Sequence, residues 1–279
     1  MKKLEFLNPS RRRLSVFAFL LIPFLLLSQE KVQTFVYEPE VGQEGKDVVW
    51  VPTPQALVDK MLEIAKVTPL DFLIDLGSGD GRTVITAAKL GIKSIGIEYN
   101  PDMVELSKKN AAEAGVTDKA EFLKTDLFEY DFSKATVITM FLLPDINLRL
   151  RPKLLEMKPG TRIVTNTFTM EDWHWDESAN SGDESTNWNT CYLWIVPAKA
   201  EGSWNIQGGG KLIFLQNFQM LTGEITNGTK TETITEGRLR GTEIKFSAGG
   251  AVYSGDVDGD TMSGNVNRDG KTTEWKATR

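Results

Sequence analysis

The run Asp75-Leu76-Gly77-Ser78-Gly79-Asp80-Gly81-Arg82 carries more chemistry than any other stretch of this 279-residue chain. Three glycines alternate with small or acidic residues, directly behind the apolar run Phe72-Leu73-Ile74. Glycine reaches backbone conformations closed to other residues, so a ligand can approach the main chain there, and the N–H groups that open a following helix point at it. Two more acids follow. Glu98 stands 17 residues beyond Gly81, at the end of the next apolar run, and Asp126-Leu127 follows the one after that. A carboxylate in the first of these places can accept both hydroxyls of a ribose. One in the second can accept from an adenine amino group while its apolar neighbour covers the ring.

The details of the turn choose among nucleotide-like ligands. A dinucleotide turn reads G-x-G-x-x-G and has no acid built in. Here the glycines give G-x-G-x-G, preceded by Asp75 and interrupted by Asp80. Acids at these places suit an ammonium rather than a pyrophosphate, and so suit the methionine part of S-adenosylmethionine (SAM).

Other chemistries are excluded by what is scarce. His174 is the only histidine and Cys191 the only cysteine, which nearly removes a Ser-His-Asp triad, a Cys-His dyad and a His-rich zinc site. The net charge is −6 and the isoelectric point about 5.1, so no basic field favours nucleic acid. The end of the fourth expected strand is apolar. This chain reads Phe141-Leu142-Leu143-Pro144 there. Phe141, Leu142 and Pro144 are therefore expected to line an apolar substrate pocket suited to a long aliphatic stem such as lysine. The amine of lysine has a pKa of about 10.4 in water, and desolvation beside a sulfonium lowers it toward the neutral nucleophile.

These residues need a scaffold that brings strand ends together. Thr53 is placed to cap a helix with Pro54 in its first position, and Leu57, Met61, Leu62 and Ile64-Ala65 continue at helical spacing. Strands are expected over 71–76, 93–98, 120–125, 135–142, 161–168 and 191–198, and helices over 82–90, 101–114 and 146–157. Residues 171–190 are acidic, polar and Trp-rich, and read as a loop. Strands alternating with helices predict an α/β, Rossmann-like doubly wound parallel sheet with ligands beyond its carboxyl edge. From about 199 an apolar-x-Gly unit recurs at Leu221-Thr222-Gly223, Leu239-Arg240-Gly241, Tyr253-Ser254-Gly255 and Met262-Ser263-Gly264, with turns at Asn227-Gly228 and Asp258-Gly259. This predicts a small C-terminal all-β domain over 199–279, an antiparallel meander of sandwich or barrel form.

Residues 50–197 resemble the class I, seven-strand SAM-dependent methyltransferases. WVPTP, DLGSGDGR, GIEYNP, ATVITMFLLP and LRPKLLEMKPGTRIVTNTF resemble one narrower group, made of bacterial methyltransferases and the mitochondrial lysine methyltransferases that act on the c-ring protein of ATP synthase. The chain is more distantly similar to the seven-strand, non-SET histone lysine methyltransferases. The resemblance implies that Asp75, Gly77, Gly79, Glu98 and Asp126 hold SAM, with Ser78, Gly81, Tyr99 and Leu127 beside them. It implies a methyltransferase domain over 50–198 that acts on protein lysine. A small molecule near a membrane, such as a lipid or quinone, and an exported module that binds without turnover are the alternatives.

Further features fall outside that core. Met1–Arg13 is basic and precedes LSVFAFLLIPFLLLS, residues 14–28, which carries no charge. The pattern reads as an export signal or a membrane anchor, and places the protein at a membrane or in the bacterial envelope; a cytosolic-facing anchor is the alternative. Residues 29–49 read as a linker. Trp173, Trp175 and Trp188 flank the expected pocket and serve either as a cation-binding wall or as ordinary packing. His174 is expected at the surface or in a structural role. Asp256-Val257-Asp258-Gly259-Asp260 reads as a charged hairpin turn rather than a calcium loop, and no metal site is expected.

Overall fold

The computed structural model describes residues 37–279. The expectation for residues 1–28, signal or anchor, lies outside the described residues. Among those described, no helix is long and apolar enough to cross a membrane.

Four helices and seven strands make the first part: α1 Gln55–Ile64, β1 Phe72–Leu76, α2 Arg82–Lys89, β2 Lys93–Glu98, α3 Pro101–Glu113, β3 Ala120–Lys124, β4 Val137–Met140, α4 Pro144–Leu155, β5 Arg162–Asn166, β6 Glu177–Asn180 and β7 Thr190–Ile195. The sheet order is β3-β2-β1-β4-β5-β7-β6. Strands β1 to β5 are parallel, whereas β7 runs antiparallel to β5 and β6 antiparallel to β7. The sheet is thus mixed, not wholly parallel.

The alternation of buried residues shows how the faces are covered. Leu73, Val137 and Val164 pack with Leu57, Val58, Met61 and Leu62 of α1 and Ala87 of α2. Their neighbours Ile74, Leu76, Ile138, Met140 and Ile163 pack on the other face with Ile146, Leu150 and Leu154 of α4. Strands buried on both faces read as near-continuous apolar runs, which makes them visible in the sequence.

Three local expectations are corrected. Thr53 makes no cap: Pro54 occupies the N-cap of α1, and the Thr53 hydroxyl instead accepts from Asn166 Nδ2 at 3.2 Å. Helix α4 begins at Pro144, two residues before the expected start, because proline's fixed φ suits the first turn and it has no N–H to leave unpaired. The expected loop 171–190 contains β6, a polar edge strand paired only with β7.

The second part is a closed antiparallel barrel of eight strands: β8 Gly202–Ile206, β9 Lys211–Asn217, β10 Met220–Asn227, β11 Lys230–Arg240, β12 Glu243–Ala248, β13 Ala251–Asp258, β14 Thr261–Arg268 and β15 Lys271–Thr278. The meander closes where β15 meets β8, through Ala277–Ile206 and Thr278–Asn205. Its interior is filled by Trp204, Phe214, Phe246, Tyr253 and Trp275, with the Phe246 and Tyr253 rings stacked 4.6 Å apart. The recurring glycines let strands approach: Gly255 and Gly264 face each other across β13 and β14, and a Cβ on Gly264 would lie 2.0 Å from the Ser254 carbonyl oxygen. Asp258–Thr261 closes the β13–β14 hairpin, the turn expected there.

The barrel docks beside the sheet. Phe218 stacks on the buried Trp173 at 5.8 Å, Gln219 Nε2 donates to the His174 carbonyl at 2.7 Å, and Arg238 and Arg240 pair with Asp176 and Glu177. His174 is exposed, with its backbone in this structural role.

Candidate active site

The carboxyl edge of the parallel strands opens into a cleft. The turn after β1 forms its floor. Gly79 has φ +54°, in the left-handed region, and a Cβ there would fall 2.6 Å from Trp50 Nε1. Any side chain at this position would therefore displace Trp50 and strain the backbone. The turn is tied to β2 by Gly77 and Ser78, whose N–H groups donate to the Ile97 carbonyl at 2.8 and 3.0 Å.

Glu98 ends β2 and is fixed by backbone donors. Gly79 N–H gives to Oε2 at 3.0 Å, and Tyr99 and Asn100 N–H give to Oε1 at 2.8 and 2.9 Å. Oε2 keeps acceptor capacity toward the cleft. Asp75 is buried near the end of β1, and the Thr139 hydroxyl donates to its Oδ1 at 2.7 Å. Burial pushes its carboxyl pKa up to about 7; the Thr139 hydrogen bond opposes this, and the charges of Glu98 and Asp80 add to it. An unpaired carboxyl held this way lacks a cation.

The charges lining the cleft are uneven. Glu44, Asp47, Asp75, Asp80, Glu98 and Asp126 face only Lys46 and Arg82. Arg82 pairs with Asp80 at 2.6 Å and Lys46 pairs with Asp126, so the other four acids have no ion-pair partner among the described residues. SAM has two positive centres and one negative. The residues present fit it: acids for the cations, Glu98 for hydroxyls, and a glycine cradle that a Cβ would fill.

Most of the expected site residues meet here. Asp75, Gly77, Ser78, Gly79, Glu98, Tyr99, Asp126, Leu127, Phe141 and Leu142 all line the cleft. Gly81 and Pro144 do not. Gly81, at φ +83°, caps α2, and a Cβ there would meet the Phe122 ring at 2.7 Å, so its smallness serves the packing of α2 and α3 against β3. Pro144 is exposed at the first turn of α4.

Asp126 is not a free acceptor. Its Oδ2 takes the Lys46 ammonium and its Oδ1 takes Phe128 N–H at 2.9 Å, and these bonds hold its carboxyl below the usual range. Lys46 belongs to residues 37–49, the described part of the expected linker. That segment folds onto the site: Gln43–Val49 lines the cleft, Trp50 backs the Gly79 turn, and the Lys46 ammonium lies 4.7 Å from the Tyr99 ring centroid. A polar segment without hydrophobic period gives no sign of this. Its only signal is the isolated Trp50 before Pro52 and Pro54.

The three tryptophans separate. Trp173 is fully buried among Trp194 and Phe218 and is core packing. Trp175 leans on Tyr192 at 4.7 Å. Trp188 alone meets a cleft residue, with its ring 5.3 Å from Phe141.

Comparison with known proteins agrees with this geometry. Residues 75–177 match the family described as the ANTKMT methyltransferase domain. A protein-lysine N-methyltransferase of Saccharolobus islandicus is 45% identical over 152 residues, covering 53% of this chain and 94% of that protein. The adenine nucleotide translocase lysine N-methyltransferase of Mus musculus is 30% identical over 128 residues, 45% of this chain; the chain spans 56% of that enzyme's length. The crystal structure of an RNA methyltransferase from Salinibacter ruber with S-adenosyl-L-homocysteine is 48% identical, covers 53% of this chain and 95% of that one, and superposes with a TM-score of 0.50. With the glycine cradle, the acid-lined cleft and these likenesses together, the chain belongs to the SAM-dependent methyltransferases of the ANTKMT type and uses SAM as its methyl donor.

Proposed function

We propose that the acceptor is the side-chain amine of lysine in a protein. The observation that carries this is the charge of the cleft: six acids against two bases, opening beside the apolar Phe141 and Leu142. Such a cleft attracts an ammonium and repels a phosphate backbone. The lysine methyltransferases among the relatives support the same reading.

SAM supplies a methyl group activated by its sulfonium. Each residue then has a definite task. Asp75, ionised by the arrival of a cation, takes the methionine ammonium. Glu98 accepts the ribose hydroxyls. Asp126 accepts from the adenine amino group, sharing its carboxylate with Lys46. Phe141 and Leu142 hold the lysine stem and strip water from its amine, which lowers the amine pKa and lets its proton leave to solvent. The nitrogen lone pair then displaces the thioether in line: the S–CH3 bond breaks as the N–CH3 bond forms. No side chain acts as base, and alignment supplies a large share of the rate, of order 7–11 kcal/mol in well-oriented systems.

The basic and then apolar segment 1–28 supports action at a membrane. The test is incubation of the full chain with methyl-labelled SAM, membrane-protein extract, lipid and total RNA, followed by hydrolysis and amino-acid analysis. Methyl-lysine is the expected product. Label confined to RNA, or to a lipid or quinone fraction, would overturn the proposal.

A further inference from the structure

The sheet brings three aromatic side chains to one place on its carboxyl edge. Phe141 follows β4 and Phe168 follows β5. Because β7 is antiparallel, with Cys191 opposite Asn166, the residues before β7 come to that same edge, and Trp188 is among them. The rings form a closed set: Phe141–Trp188 at 5.3 Å and 61°, Phe168–Trp188 at 5.9 Å and 55°, and Phe141–Phe168 at 6.1 Å and 24°. All three are half-buried rather than core residues. Lysine or arginine groups lie over Phe72, Tyr99, Phe128, Phe132, Trp204 and Phe218, yet among the described residues none lies over these three rings.

The set is held in place by polar bonds and by strain. Thr167, a β-branched residue, sits at φ +57°, a conformation such residues rarely adopt. Its N–H donates to the Thr190 carbonyl at 2.8 Å, and the Thr165 hydroxyl donates to the Phe168 carbonyl at 2.5 Å. On the other side, Trp188 N–H donates to the Thr186 hydroxyl at 3.1 Å, and Asn180 Nδ2 donates to Asn189 Oδ1 at 3.0 Å. A preformed aromatic wall with no internal cation, adjoining an acid-lined cleft, has the chemistry of an alkylammonium site.

We propose that Phe141, Phe168 and Trp188 receive the stem and ammonium of the acceptor lysine, and that Trp188 determines specificity for it. This rests on the lysine reading above. Phe141 alone of the three lines the donor cleft, so the wall leads from the surface to the methyl group. The wall binds the arriving acceptor as its ammonium, which then loses its proton at the desolvated Phe141 and Leu142 end of the cleft before the methyl transfers. It also retains mono- and dimethyl-lysine, whose cations are larger and less hydrated, for further transfers.

The test uses the full chain with tritiated SAM and poly-L-lysine as acceptor. Trp188→Ala should raise KM for poly-L-lysine about tenfold, within the range for a partly desolvated cation over an indole. The kcat should stay within about twofold and SAM affinity, by calorimetry, should not change, because positioning of the donor is untouched. Trp188→Phe should restore most of the loss. An unchanged KM, or an equal loss of SAM affinity and thermal stability in both variants, would make Trp188 a packing residue and overturn the proposal. A second measurement separates this from the lysine reading. Line broadening of tetramethylammonium protons by the SAM-binding protein should be saturable and lost in Trp188→Ala. Broadening that does not depend on Trp188 overturns the wall, whereas Trp188-dependent binding without methylation of poly-L-lysine would refute only lysine as acceptor.

Discussion

Replacing Asp75 by Asn should make the ligand-free protein more stable and the enzyme inactive. The Asp75 carboxyl is pushed up to about 7 by burial, with only the Thr139 hydroxyl to compensate. Its ordinary value is about 3.9, so the shift corresponds to roughly 4 kcal/mol as an upper bound, at 1.36 kcal/mol per unit. The sign follows from proton binding. Between about pH 4 and 7 the folded chain holds a proton that the unfolded chain has lost, so this group's contribution to stability falls as pH rises through that window. Above about pH 7 the full penalty of the buried charge applies. Asparagine keeps the shape and the Thr139 contact but carries no charge. Urea unfolding without ligand should therefore show Asp75→Asn more stable than wild type at pH 8, with the gap closing toward pH 4. SAM binding should be lost in the variant. In the wild type, SAM affinity should weaken by up to about fiftyfold from pH 7 to 5, since the carboxylate form binds the ammonium and its fraction falls from about a half to about a hundredth. If the variant is no more stable at pH 8, or binds SAM as wild type does, Asp75 is not a buried charge awaiting a cation and the reasoning fails.

Other perturbations read different parts of the site. Glu98→Ala should weaken SAM by about 1.5–3 kcal/mol in calorimetry, the range for a charge-assisted hydrogen bond, and Asp126→Ala by less, because Lys46 already engages it. Gly79→Arg should abolish SAM binding, since its Cβ would fall 2.6 Å from Trp50 Nε1 at φ +54°; wild-type binding by that variant would remove the turn from the donor site. Arg238→Met leaves Asp176, whose side chain is fully buried, without its counter-ion, and should raise KM for the acceptor more than Kd for SAM. A phosphatase that works only outside the cytosol, fused after Arg279, should be active if segment 14–28 exports the chain, and inactive if the segment anchors it facing the cytosol.

What can be read in advance follows from the range of the forces involved. Strands β1, β2, β4 and β5 are buried on both faces and show as apolar runs, and Asp75, Gly79 and Glu98 sit at the ends of consecutive elements. Both signals are local. Strand β6 escapes the sequence because Glu177-Ser178-Ala179-Asn180 is an edge strand with one neighbour, where hydrophobic patterning is not required. The partner of Asp126 escapes it because Lys46 lies 80 positions away in a segment with no periodicity. Closure of the barrel stays undecided there because it depends on two residue pairs between its first strand and its last.

The same distinction divides the site. Its donor half draws chiefly on residues 75–127, where β1, β2 and β3 each bring an acid to the edge, with Gln43–Trp50 folded over them. Its acceptor half gathers Phe141, Phe168 and Trp188 from three segments, and Trp188 arrives on a hairpin that the parallel sheet alone does not hold. That hairpin is fastened by the barrel. Asp176, just before β6, accepts from Ile195 N–H at 2.8 Å and from Arg238 of β11 at 2.7 Å, and Glu177 pairs with Arg240 of the same strand. Strand β11 is itself held on both sides, by β10 and β12. A closed barrel has no free edge and a filled interior, so it yields little under load. Its tie to the hairpin therefore acts on the acceptor side and leaves the donor side to the sheet. Through Asp176 and Glu177 the barrel holds the start of β6, the first strand of the hairpin that carries Trp188.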